Sequence, residues 1–246
     1  MRIPVMHRLA LVILALALLG CSDSDMGDVR LQAAGFNAAS TDASAEAGQL
    51  TIAAGTDVIV LTEVGLVLRK VRLEGPSTES CPEEGEGDPG CGELELGPLL
   101  FQLPLAGDAE GVLNGSVPVG SYTALKFQLH RPTNANEDAD FVADHPDYDD
   151  VSIRAVGTYN DISFTFESDL TDVETVSFVG PVEVETEGVL PLTLLVEVAD
   201  WFRGPDGLVD PAQANDGGPL ESVVEQQIRA SLHAFRDADA DAAVDD

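Results

Sequence analysis

In the stretch SYTALKFQLH (Ser121–His130), Thr123, Leu125, Phe127 and Leu129 point one way, and Tyr122, Lys126, Gln128 and His130 point the other. A side-chain period of two is that of a half-buried β-strand, and no helix gathers such a pattern onto one face. The same texture recurs along the chain. DVIVLTEVGLVLRKVRLE (Asp57–Glu74) is rich in β-branched residues and predicts one long or two short strands. ELELGPLLFQLPL (Glu93–Leu105) predicts a strand pair broken at Gly97-Pro98, and VSIRAVGTYNDISFTFESD (Val151–Asp169) a hairpin turning at Asn160-Asp161. TVSFVGPVEVETEGVLPLTLLVEVADWF adds two or three strands. Roughly eight to ten strands, with turn residues between them, predict a mainly β domain, an antiparallel β-sandwich. One helix is expected near the C-terminus. Pro219 fits its first turn, and Leu220, Val223, Val224, Ile228, Leu232 and Phe235 recur at three- and four-residue steps as one apolar stripe.

The N-terminus carries a different signal. Arg2, His7 and Arg8 precede an uncharged run from Leu9 to Leu19, too short to span a hydrocarbon core of about 30 Å. A basic start, a short apolar centre and small residues at the end make a secretory signal. Leu18-Leu19-Gly20-Cys21 resembles the lipobox of bacterial lipoproteins. That resemblance implies cleavage before Cys21, acylation of its thiol, and, with Ser22 next, export to the outer membrane. The alternative is an ordinary secretory signal with an incidental cysteine. Residues 22–47 are small and polar, so 1–20 is read as signal peptide, 21–47 as a flexible tether, 48–236 as the β-domain with its helix, and 237–246 as an acidic tail.

Charge fits an envelope location. The chain has 44 acidic against 12 basic residues, a net charge of −32, and losing Arg2 and Arg8 with residues 1–20 takes it to −34. Such a surface repels nucleic acid, whose binding depends on lysine and arginine, and also repels anionic lipid; the acyl-Cys21 is then what holds the protein to the membrane. With Cys21 acylated, Cys81 and Cys91 remain, and an even pair in an exported chain predicts a disulfide closing CPEEGEGDPGC. Two thiolate metal ligands are the alternative.

No catalytic motif stands out. Gly85-x-Gly87-x-x-Gly90 matches a dinucleotide fingerprint in letters only, because Pro89 interrupts it and Glu86 and Asp88 would face the pyrophosphate. His130, His145 and His233 are dispersed. The C-terminal DADADAAVDD spaces Asp237, Asp239 and Asp241 like the first three ligands of a calcium loop, although Ala242 replaces the turn glycine and no twelfth-position glutamate follows. The competing reading is a solvated tail. Carboxylates just past a helix C-terminus are unfavourable unless a cation neutralises them. In a second acidic cluster, His145, Asp147, Asp149 and Asp150 are weaker candidates for a cation.

VPVGSYTALKFQLHRP, with Val117, Pro118, Gly120 and Tyr122 before its strand, is similar to a segment of uncharacterised prealbumin-like β-sandwich lipoproteins of bacteria, as are SIRAVGTYNDISFTFESD, VADWFRGPDGLVDP and IRASLHAFRDADAD. The resemblance implies a sandwich on a lipid anchor and carries over no catalytic residue. The expectation is a non-catalytic cell-envelope lipoprotein that binds an envelope partner or serves structurally. A calcium- or other metal-binding protein is the second reading, and an enzyme acting on envelope polymers the third.

Overall fold

The computed structural model describes residues 25–36, 43–46, 48–75, 91–215 and 217–245. In chain order these form β1 (Met26–Ala34), β2 (Ala43–Glu46), β3 (Gln49–Ala54), β4 (Asp57–Glu74), β5 (Glu93–Glu95), β6 (Leu99–Gln102), β7 (Glu110–Pro118) and β8 (Gly120–Leu129). The short helix α1 (Ala139–Asp144) follows, then β9 (Ile153–Tyr159), β10 (Ile162–Ser168), β11 (Asp172–Val184), β12 (Val189–Val196), β13 (Arg203–Gly204) and β14 (Gly207–Leu208). Helix α2 (Glu221–Ala230) and β15 (Leu232–Arg236) complete the fold. Over the described residues the protein is mainly β with little helix; its strand pairs are antiparallel, as expected, except for one parallel pair, β1 with β12.

β4 is the spine. Its 18 residues carry β3, β6 and β5 along one edge and β9 and β8 along the other, as Ile59 shows by pairing with both Ile52 and Tyr159, and Leu68 with both Leu99 and Leu129. The spine bends at Lys70. Arg69 pairs with Gln128 but Arg72 with Lys126, so β4 holds one extra residue there, and Lys70 takes a left-handed φ of 53°. β10 continues the sheet beyond β9, β2 beyond β3, and β11 beyond β8. Asn160 (φ 49°) and Asp161 (φ 65°) turn the β9–β10 hairpin as expected. Asn160 also accepts from the Val58 amide at 2.9 Å and donates to Asp57 at 3.0 Å, which ties that hairpin to the start of the spine.

The second sheet runs β15-β12-β1-β7. Here the expected tether at 21–47 is corrected. Val29, Leu31 and Ala33 of β1 are almost wholly buried, and the strand lies between β12, parallel to it, and β7, antiparallel to it. VRLQA is an alternating segment too, and its apolar face is needed to fill the middle of a sheet. β2 likewise pairs with β3 over Ala43–Glu46. Side chains from both sheets enter one core: Leu31 and Leu192 from this sheet, Leu61 and Phe127 from the spine's.

Two further expectations change. The C-terminal helix is short: it begins after Pro219 and ends at Ala230, and Leu232 and Phe235 belong to β15, paired with β12. A backbone edge on β12 offers a ladder of hydrogen bonds that a continued helix would leave unmade. In β8 the alternation shifts phase, so Tyr122 is buried and Thr123 exposed; Tyr122 donates to the Pro118 carbonyl at 2.7 Å. No described helix is long and apolar enough to cross a membrane.

Candidate functional site

β15 ends at Arg236, and the chain turns over the outer face of the β15-β12-β1-β7 sheet. On that face β12 presents Thr193 and Leu195, both buried. Leu195, Phe235, Ala34 and Ala109 form a small apolar cluster, closed by Ala242 with Ala240 packed against it. The Ala109 amide donates to the Ala240 carbonyl at 2.7 Å. The expected tail at 237–246 is therefore part of the fold over its described residues. Its acids follow a strand rather than a helix C-terminus, so the helix-dipole argument for a cation there no longer applies.

Inside this loop Asp237 is fully buried. Its Oδ2 accepts from Thr193 Oγ1 at 2.9 Å and from the Ala242 amide at 3.1 Å, while Oδ1 makes no hydrogen bond. Burial pushes its pKa above the ordinary aspartate value. The hydrogen bonds from the Thr193 hydroxyl and the Ala242 amide pull it back, with a smaller pull from the nearby Ala240 amide, and the Asp241 charge pushes it further up. Asp239 and Asp241 are exposed, and each of the three offers a carboxylate oxygen within 4.8 Å of the others. Ala240 (φ 62°) and Ala242 (φ 61°) both adopt left-handed backbone. Ala242 thus makes the turn usually given to glycine in calcium loops.

The other expected cluster is not assembled. Asp149 accepts from the Asn134 amide at 3.1 Å, Asp150 pairs with Arg131 at 3.2 Å, and the His145 ring packs on Phe141 at 4.7 Å between centroids. These residues and Asp147 form no common ligand group among the described residues. A third cluster, Asp169 with Glu221 and Glu225, escaped sequence reasoning because its members come together only through the fold. Its charge is already answered: Arg131 lies 2.7 Å from Asp169, Arg229 lies 4.0 Å from Glu225, and the Gly217 amide donates to Glu221 at 3.0 Å. Cys91 is buried, while Cys21 and Cys81 lie outside the described residues, as does the signal segment.

An open cleft of about 520 Å³ beside β11 holds Glu174, Glu197, Arg229 and His233. Each acid there has a basic neighbour: Arg229 Nε lies 3.9 Å from Glu174, and His233 Nε2 lies 3.3 Å from Glu197.

His130 is buried against Asp138, with Nε2 to Oδ1 at 3.0 Å. Burial pushes its pKa below 6.5 despite the hydrogen bond to Asp138; Arg69 pushes it further down, and the charges of Asp138 and Glu137 oppose. The unfolded chain therefore binds this proton more readily than the folded one. The resulting stability is complete above about pH 6.5 and is lost as pH falls through the lower folded value. Melting curves between about pH 7.5 and 5 should fall more steeply for the native chain than for His130→Gln; parallel curves would remove His130 from the account.

No protein-family model, curated protein or solved structure matches this chain.

Proposed function

We propose that the protein is a cell-envelope lipoprotein, acylated at Cys21 and facing the outer membrane, whose β-sandwich of prealbumin-like type serves a non-catalytic binding or structural role. The observation that carries this reading is the basic, then apolar N-terminal segment ending in Leu18-Leu19-Gly20-Cys21, and the folded domain starts close behind it. Only Ser22, Asp23 and Ser24 separate Cys21 from Asp25, whose carbonyl accepts from the Val119 amide at 2.8 Å, and β1 begins at the next residue. A fully extended chain covers that gap in about 14 Å.

An acyl group on Cys21 therefore holds the domain close against the headgroups, in place of the reach a long tether gives. An extended gap of about 14 Å exceeds the screening length of about 8 Å at physiological salt, so most of the repulsion between the carboxylate-rich surface and anionic lipid is screened. Acyl burial, about 0.8 kcal/mol per CH₂, outweighs this repulsion when several chains share one cysteine. In the oxidising envelope, a Cys81–Cys91 bridge closes the acidic loop between β4 and β5.

Expression in a bacterium that acylates lipoproteins provides the test. The native chain should sediment with membranes and resist extraction by high salt, whereas Cys21→Ser should lose that behaviour. Equal membrane association of the two would rule out the anchor.

A further inference from the structure

We infer that the C-terminal loop is a divalent-cation site, with Asp237, Asp239 and Asp241 as its carboxylate ligands and calcium as the ion it fits. The inference goes beyond the anchoring reading and does not depend on it.

An acidic triplet on a surface is ordinary in a chain this rich in carboxylate. What sets this one apart is Asp237, fully buried, with Oδ1 lacking any hydrogen-bond partner. A buried carboxylate oxygen without a donor is costly, and native structures answer such groups with a proton, a water or a cation. The rest of the site favours the cation. Asp239 and Asp241 bring two more negative charges to the same point, where a neutral donor would leave their mutual repulsion in place. No lysine or arginine is paired with any of the three among the described ion pairs. The Asp169–Glu221–Glu225 cluster, in contrast, is served by Arg131 and Arg229.

Coordination chemistry favours calcium. Calcium binds oxygen at about 2.3–2.6 Å, so ligands on opposite sides of it stand at most about 5 Å apart, and three carboxylate oxygens within 4.8 Å of one another can surround it. Calcium accepts an irregular set of protein oxygens, whereas magnesium demands a near-ideal octahedron and gives up its waters reluctantly. The site is also built into the fold, because Thr193 of β12 holds Asp237 and Ala109 holds the loop at Ala240. A bound ion would thus clamp the C-terminal segment onto the outer face of β12, in the same sheet whose β1 follows the membrane anchor.

The test uses the full chain in detergent, melted in excess chelator, in calcium and in magnesium at one ionic strength, alongside equilibrium dialysis with radioactive calcium. Calcium at a hundredfold excess over its dissociation constant should raise the melting temperature by about 5–10 °C, with one ion retained per chain. The variant D239N/D241N changes only exposed side chains and removes two mutually repelling charges, so it should fold, melt in chelator at or somewhat above the native temperature, and lose the calcium response. Coincident native melts in chelator and calcium would overturn the site, and so would a double variant that keeps the full calcium shift. An equal shift with magnesium would overturn the assignment to calcium.

Discussion

Replacing Leu31 with aspartate is expected to leave the protein unfolded at room temperature. Leu31 is fully buried at the centre of β1, paired with Leu192 on one side and Leu113 on the other. A charge there has no partner, and its desolvation cost stands against a total stability of about 5–15 kcal/mol. The milder Leu31→Ala leaves a cavity and should cost about 2–5 kcal/mol, read as a lower urea midpoint. Neighbouring Arg30 is exposed, so Arg30→Ala should change stability by no more than about 0.5 kcal/mol. The contrast separates a core strand from a tether, in which all three substitutions would be silent.

Trp201→Ala should cost about 3–5 kcal/mol. The indole is fully buried where three elements meet. Its Nε1 donates to Ser231 Oγ at 2.9 Å, and that hydroxyl donates to the Ile228 carbonyl at 2.7 Å at the end of α2. The Glu197 amide, just past β12, donates to the Ser231 carbonyl at 3.0 Å. Trp201 therefore fixes where α2 stops and β15 starts. Trp201→Phe keeps most of the packing but loses the donor, so its cost should fall to about 1–2 kcal/mol, the price of one buried hydrogen bond. If Phe and Ala proved equally costly, the hydrogen bond rather than the ring volume would set the junction. Urea unfolding followed by far-ultraviolet circular dichroism reads both variants, since neither retains the tryptophan.

Both effects also mark where the sequence is readable. Asn160-Asp161 and the long run Asp57–Glu74 declare themselves, because turn chemistry and β-branched alternation are local. β1 is hidden for a physical reason: Val29, Leu31 and Ala33 alternate over only a few residues, amid glycine, alanine and acids that read as spacer. Its identity as a strand comes from its neighbours, β12 and β7, which lie far along the chain. The stripe from Leu220 to Phe235 misleads differently. A four-residue step such as Ile228 to Leu232 suits both a helix face and one side of a strand, and the open edge of β12 decides between them. At the C-terminus the alternation of Asp237, Asp239 and Asp241 is legible, and so is its likeness to a cation loop. The burial of Asp237 is not, because it depends on Thr193, 44 residues earlier.

The most direct test of the central claim, that this β-domain is held at the membrane through Cys21, is the intact mass of the protein extracted from the membranes of an expressing bacterium. The account predicts a chain that starts at Cys21 and exceeds the mass of residues 21–246 by its acyl groups, and a Cys21→Ser protein that carries no acyl mass in whichever cell fraction it is recovered. A chain of unmodified mass, or one cut at another position, would contradict it.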